Sequence, residues 1–147
     1  MNARIFRFLA AVTVVVALTA SADANAPAGR YTTSGGTGYD TKTRLTWQQA
    51  VAPGTYTWAG AKTYCAGLNL GGTGWRLPTA KELQTIVDDS QTNPAIDTTV
   101  FPSTPSDYFW SSSPLAGSSS NAWVVYFDYG HGYNRVVSSP YLVRCVR

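Results

Sequence analysis

The first apolar run of the chain lies in surroundings typical of an export signal. Arg4 and Arg7 precede an apolar stretch over residues 9–20, and small residues follow it up to Ala24. This order predicts a secretory signal peptide over residues 1–24. The apolar run is shorter than the roughly 20 residues that a membrane-spanning helix needs. We therefore expect no transmembrane segment after cleavage and a secreted, periplasmic or cell-surface location.

Beyond the signal peptide, apolar and polar residues alternate in short segments, which predicts β-strands. Residues 25–38 are expected to form a polar leader and a first strand, and a second strand carries Leu45 and Trp47 on one face. Further strands are predicted over residues 108–114, 121–127 and 140–147, with a hairpin turn over residues 128–133. In the middle one of these strands, one face carries Trp123, Val125 and Phe127, and the other carries Val124 and Tyr126.

A first amphipathic helix is predicted after Thr57, which has the side chain of a good N-cap. Apolar residues then recur at the three- and four-residue spacing of a helix. The apolar stripe consists of Trp58, Ala61, Cys65 and Leu68. We expect the helix to end near the glycine pair at residues 71–72.

The stretch GWRLPTAKEL leads from a short extended segment into a second predicted helix. Thr79 and Glu82 have the spacing of a capping box, and the apolar face of the helix continues to Val87. Trp75 and Leu77 are expected to point into the core, whereas Arg76 either pairs with a carboxylate or carbonyls or holds an anionic ligand. The stretch is therefore predicted to be mainly structural. Its signature residues are Trp75, Arg76, Leu77, Pro78, Thr79 and Glu82.

Residues 89–108 are rich in proline, serine and threonine and contain no helical or strand period. They predict a long structured loop, attached to the core by Ile96, Val100 and Phe101, and loops of this length are often functional. Together with the helices and strands, this organisation predicts an α+β domain over residues 39–147.

The charge and the cysteine content limit the classes of function that the chain can have. The formal net charge is only +3, and the basic residues are scattered rather than clustered, which argues against nucleic-acid binding. Cys65 and Cys145 both lie in the exported part, where a single disulfide between them is the expected state. The alternative is a catalytic or copper-binding thiol pair.

The order of several stretches resembles the Lcl C-terminal domain family, bacterial exported domains of unknown function. These stretches are YDTKTRLTWQQ, YTWAGAKTYCAGLN, GWRLPTAKELQTIVD, NPAIDTTVFP, YFWSSSP, AWVVYFDYG and YLVRCVR. The resemblance implies a C-type-lectin-like fold with two helices, a small twisted antiparallel sheet and long loops. A disulfide from the first helix to the last strand is also familiar in that fold.

Catalytic candidates are few. His131 lies between glycines in the predicted turn, without a second histidine to complete a zinc site, and the serines at 111–113 have no base held by a third group. A formylglycine-generating enzyme, another relative of the fold, would need both cysteines as reactive thiols. We expect no enzymatic activity.

Calcium is a further cofactor alternative, because several lectins on this scaffold bind sugars through it. Six side chains of the second half supply oxygen donors of the type that calcium prefers. They are Asp88, Asp89, Asn93, Asp97, Asp107 and Asp128. The loop reads TNPAID where a glutamate-proline-asparagine triplet is expected, so we predict no bound metal.

Aromatic residues are the strongest functional signal. The chain has nine tyrosines and five tryptophans, and flat rings with a polar edge make good binding surface. Arg135 could bind sulfate or carboxylate groups of a ligand beside these rings. The predicted ligand-binding residues are Tyr108, Trp110, Tyr129, His131, Tyr133 and Arg135, with Tyr141 nearby. We predict a non-catalytic module that binds a glycan or protein partner; the alternative is an assembly module of an envelope complex.

Overall fold

The computed structural model describes residues 29–147, so the predicted signal peptide and most of the leader lie outside the described residues. The elements follow in the order β1 (Tyr31–Ser34), β2 (Thr37–Asp40), β3 (Leu45–Gln48), α1 (Trp58–Gly67), α2 (Ala80–Gln84), β4 (Tyr108–Pro114), β5 (Asn121–Tyr126) and β6 (His131–Val136). They form two antiparallel three-stranded sheets, β1-β2-β3 and β4-β5-β6. The predicted α+β class is confirmed.

The first sheet contains one strand more than the two predicted from its sequence. β1 lies within residues 25–38, where the first strand was expected. The additional strand is β2, whose pairing with both β1 and β3 the sequence pattern did not indicate. The sheet is fixed to the second helix by Arg30, which forms a 2.7 Å ion pair with the buried Asp40 and also donates to the C=O of Thr85. Leu45 and Trp47 pack in the same core cluster, as predicted.

Helix α1 begins as predicted, because the Thr57 side chain accepts from the N–H of Gly60. It ends at Gly67, earlier than the predicted stop near residues 71–72. The C-cap residue Leu68 is extended and donates its N–H to the C=O of Cys65, so the helix ends without the glycine cap predicted at residues 71–72.

Helix α2 has the predicted capping box: the Thr79 hydroxyl accepts from the N–H of Glu82, and the Glu82 carboxylate accepts from the N–H of Thr79. The helix is only five residues long, so the predicted extension to Val87 is wrong. Val87 instead forms an antiparallel bridge with Ile96 at the start of the long loop.

Arg76 takes the structural alternative of the two that its sequence left open. Its guanidinium donates to both carboxylate oxygens of Glu82, at 2.6 and 2.7 Å. Hydrogen bonding from Arg76, aided by the capping N–H, lowers the pKa of Glu82 to about 2. Trp75 and Leu77 are buried on either side of Arg76 in the sequence, as predicted.

The second sheet lies between two core clusters. Phe109 and Val125 pack on the side of β3, α2 and the long loop. Trp110 and Val124 pack on the opposite side, with α1 and the disulfide. Both faces of β4 and β5 are therefore buried, while β6 is mostly exposed. The loop residues Ile96, Val100 and Phe101 pack in the first of the two clusters, as predicted.

The last seven residues connect the two sheets, but not as the continuous strand that was predicted. Leu142 forms a parallel bridge with Phe109, and Val146 forms antiparallel bridges with both Trp47 and Arg76. The segment changes partner every few residues, which prevents a regular ladder.

The predicted disulfide is confirmed in the same segment. Cys145 is bonded to Cys65 of α1, with both residues fully buried. The bond therefore joins the last residues to the first helix.

Candidate binding face

Strand register brings four of the second sheet's polar and aromatic residues to one face. Tyr108 is opposite Tyr126, and Arg135 is opposite Ala122. Residues two apart on a strand share a face, so Tyr133 lies on the same side as Arg135. Tyr141 joins them from the C-terminal segment. We call Tyr108, Tyr126, Tyr133, Tyr141 and Arg135 the tyrosine face.

The rings of the tyrosine face contact one another around Tyr108. The Tyr126 ring stacks on it at 4.4 Å between centroids and 24° between planes. The Tyr133 and Tyr141 rings meet it edge-on at 6.0 and 5.5 Å. Each edge-on or stacked pair contributes about 0.5–1.5 kcal/mol beyond burial, so the rings hold one another in place.

Arg135 supplies the positive charge of this face. Its guanidinium carbon lies 4.2 Å from the Tyr108 ring centre and 5.5 Å from that of Tyr133. Among the described residues, its hydrogen bond to protein goes to the C=O of Asn134. Within residues 29–147 the ion pairs are Arg30–Asp40 and Arg76–Glu82, so Arg135 has no carboxylate partner there.

The opposite end of the tyrosine face is acidic. Desolvation and the nearby Asp128 carboxylate raise the pKa of the Tyr126 hydroxyl. The face therefore runs from a cation at Arg135 to a carboxylate beside Tyr126, with aromatic rings between them.

Trp110, a predicted ligand-binding residue, lies beneath this face rather than on it. Its exposed fraction is 0%, and its indole N–H donates to the C=O of Tyr56 at 2.8 Å. The ring packs edge-on against Tyr141 at 5.2 Å. It supports the tyrosine face and has no surface with which to contact a ligand.

His131 and Tyr129 lie at the margin. His131 is not in the turn, as its flanking glycines suggested, but is the first residue of β6, opposite Tyr126. Tyr129 in the turn is 58% exposed, and its ring lies 6.4 Å from the imidazole. Both are accessible, next to the acidic end of the tyrosine face.

Tyr126 is the member of the face that the sequence did not indicate as a site residue. Its alternation with Val125 predicted which side of its strand it occupies. Its stacking on Tyr108 depends on the pairing of β4 with β5 across an 18-residue interval. Only strand register could have identified it.

The serine and aspartate residues considered for catalysis or calcium binding form hydrogen bonds within the fold instead. Ser111 is buried and donates to the C=O of Trp123 at 2.7 Å. The Asp88 and Asp97 carboxylates accept from backbone N–H groups two residues ahead, as turn-forming aspartates do. Within residues 29–147, no three histidine, cysteine or acidic side chains come together as a metal site would require.

The sequence model of the Lcl C-terminal domain matches residues 36–147. The chain belongs to the Lcl C-terminal domain family. The Lcl C-terminal domain of this chain thus contains β2 to β6, both helices, the disulfide and the whole tyrosine face, while β1 precedes it. No curated protein matches the chain. Within the described part, no helix has the length and apolar character to cross a membrane.

Proposed function

We propose that this Lcl C-terminal domain is an exported, non-catalytic binding module that recognises acidic glycans through the tyrosine face. The observation that carries the proposal is the guanidinium of Arg135, which is held over two tyrosine rings and has no carboxylate partner among residues 29–147. A protein partner with acidic and aromatic groups would use the same surface.

The rings supply contact area at little entropic cost. Tyr108, Tyr126 and Tyr141 are half-buried, and Tyr133 is 40% exposed. Because they already restrain one another, few rotamers remain to be frozen when a ligand binds. Sugar rings present apolar C–H surfaces that suit such a platform, and the tyrosine hydroxyls offer hydrogen bonds at its rim.

Arg135 supplies selectivity for an anion. A guanidinium recognises carboxylate and sulfate groups through two parallel hydrogen bonds. Arg135 commits one N–H to the C=O of Asn134, which leaves other donors for a ligand. The turn-forming roles of Asp88 and Asp97 support recognition that does not depend on calcium.

The same proposal includes the C-type-lectin-like fold and an envelope or extracellular location. Two helices, small antiparallel sheets and a disulfide from α1 to the last residues support the fold assignment. The arrangement of charge and apolar residues in the first 24 residues supports export. The structural roles of Ser111 and of both cysteines support a module without catalytic activity.

A glycan array of the mature protein tests this function, with and without a calcium chelator and at two salt concentrations. We expect binding to sulfated or carboxylated glycans that survives chelation and weakens with salt. Tyr133→Ala should weaken binding roughly tenfold. Tyr39→Ala is the matched control, since Tyr39 has the same 40% exposure in the first sheet.

Arg135→Gln should abolish the preference for acidic over neutral glycans, and Arg44→Gln, an exposed arginine elsewhere, should not. Binding that a chelator removes would instead indicate a metal-dependent lectin. An array without signals would reject glycan recognition and leave a protein partner as the ligand.

A further inference from the structure

The two edges of the second sheet differ. The outer edge of β4 is covered by the C-terminal segment, whose Leu142 exchanges backbone hydrogen bonds with Tyr108 and Trp110. Within the described residues, no strand covers the outer edge of β6. An exposed, regular edge strand is a template for pairing with another strand.

The outward-facing groups of β6 follow from its ladder with β5. Val137 donates its N–H to the C=O of Ser120, and hydrogen-bonded pairs alternate in an antiparallel ladder. Gly132, Asn134 and Val136 therefore point their N–H and C=O groups away from β5. The C=O of Asn134 accepts from Arg135 and that of Val136 from Ser139. The three N–H groups and the C=O of Gly132 have no protein partner within residues 29–147.

The same edge has a recess and a projection on one face. Gly132 lines a groove of about 460 Å³ together with Ala80, Lys81, Gln84, Ser113 and Trp123. Having no side chain, it leaves the groove open at the edge. Val136, four residues along the strand, is an apolar side chain that is 48% exposed.

We propose that two copies of this chain pair through β6, antiparallel, with Asn134 opposite Asn134 of the second copy. In this register Gly132 lies opposite Val136 of the second copy, so each exposed valine covers the open edge of the other copy's groove. The N–H groups of Gly132, Asn134 and Val136 then gain carbonyl partners. The two sheets become one sheet of six strands.

The other face of the paired strands is complementary too. In the same register Tyr133 lies opposite Arg135 of the second copy, and directly opposite residues have side chains close enough to interact. Arginine over a tyrosine ring is favourable, as the contacts of Arg135 within one copy already show. Pairing also brings two tyrosine faces onto the same side of the joined sheet. The dimer stands independently of the ligand proposed above.

Cysteine cross-linking tests the register directly. In a hydrogen-bonded antiparallel pair, opposite Cα atoms are about 5.5 Å apart, within the roughly 4.4–6.8 Å that a disulfide spans. Asn134→Cys should therefore give a covalent dimer under mild oxidation, seen on a non-reducing gel. Val136→Cys is the matched control, because positions 136 of the two copies lie roughly 13 Å apart along the strands and should not cross-link.

Sedimentation equilibrium of the chain without added cysteines tests the pairing itself. We expect the dimer fraction to rise with concentration. Asn134→Pro removes two inter-copy hydrogen bonds but none of the ladder with β5, and should raise the dimer dissociation constant tenfold or more. Asn134→Ala, the control, should leave it nearly unchanged.

Gly132→Val fills the recess and gives a second variant that does not depend on proline. A Cβ atom at this position would come no closer than 3.6 Å to the nearest side chain, Gln84, so the fold should tolerate the substitution while dimerisation weakens. A chain that stays monomeric at all concentrations would overturn the proposal, and so would equal cross-linking at positions 134 and 136. A monomer that adds a foreign extended peptide at β6 would assign the edge to a different partner.

Discussion

Arg144 carries its guanidinium into the apolar core between two phenylalanine rings. It is 1% exposed, and its guanidinium carbon lies 4.6 Å from the Phe101 ring centre and 5.9 Å from that of Phe109. Its Nη2 donates to the Thr104 hydroxyl at 2.8 Å, while Nε and Nη1 have no hydrogen-bond partner among residues 29–147. Burial lowers the pKa of Arg144 to about 9, so the group stays charged at neutral pH at a cost in desolvation.

Arg144→Met should therefore leave the free energy of unfolding unchanged or raise it by about 1–3 kcal/mol, measured by urea denaturation at pH 7. The unpartnered donors disappear, the volume is nearly kept, and the Thr104 hydroxyl still donates to the C=O of Phe101. Arg144→Ala is the control and should cost about 2–5 kcal/mol through the cavity. A large loss for the methionine variant would mean that the charge has a stabilising partner.

Gly130 joins the β5–β6 hairpin to the segment after α2. Its φ is +75°, and a Cβ atom at this position would lie 2.3 Å from Cγ1 of Val87. Its C=O accepts from the Gln84 side chain at 3.2 Å. The hairpin that carries the end of the tyrosine face is thus positioned by backbone contact with the α2 segment.

Gly130→Ala should destabilise the protein by about 3 kcal/mol, since overpacking adds to backbone strain. Gly117→Ala isolates the strain: Gly117 has a φ of +77°, a Cβ atom there would have nothing within 4 Å, and the substitution should cost about 1 kcal/mol. Thermal unfolding of both variants measures the difference. Adding Val87→Ala to Gly130→Ala should recover part of the loss; equal effects of the two glycine variants would contradict the close contact.

Local signals were sufficient for some elements and not for others. The helix starts at Thr57 and Thr79 were predictable because each cap uses atoms within three residues of itself. The length of α2 was not predictable. The spacing of apolar residues does not show that Val87 bridges to Ile96 instead of continuing the helix. Likewise, β2 was not predicted as a separate strand, because its place between β1 and β3 depends on pairing with both of them.

The residues of the candidate site likewise differ in whether local sequence signals could identify them. Tyr133 and Arg135 were found from residue type and from their place in or beside the predicted turn. Trp110 was predicted as a ligand-binding residue but is buried. The alternation of residues shows which of them share a face of a strand, but not whether that face is covered. Tyr126 required the register of β4 with β5, which depends on contacts between distant parts of the chain.

Residues 141–147 connect distant parts of the molecule, through backbone bridges and through the disulfide between Cys145 and Cys65. Cys65 and Cys145 are 80 residues apart, and closing a loop of this length stabilises the folded state by about 4 kcal/mol in the chain-entropy account. Reduction should lower the free energy of unfolding by about that amount and reduce the melting temperature. The double variant Cys65→Ala and Cys145→Ala should melt low and be insensitive to reductant; an unchanged melt on reduction would show that the bond contributes nothing.

The bridges of Val146 to both Trp47 and Arg76 also determine when the domain can complete its fold during synthesis. Residues 141–147 leave the ribosome after every element that they connect, and contacts so distant in sequence form late. The two sheets therefore stay unjoined until translation has passed this segment. Under the export proposed above, a growing chain that reaches the export channel before that moment could still be threaded through it, and the domain would close after translocation.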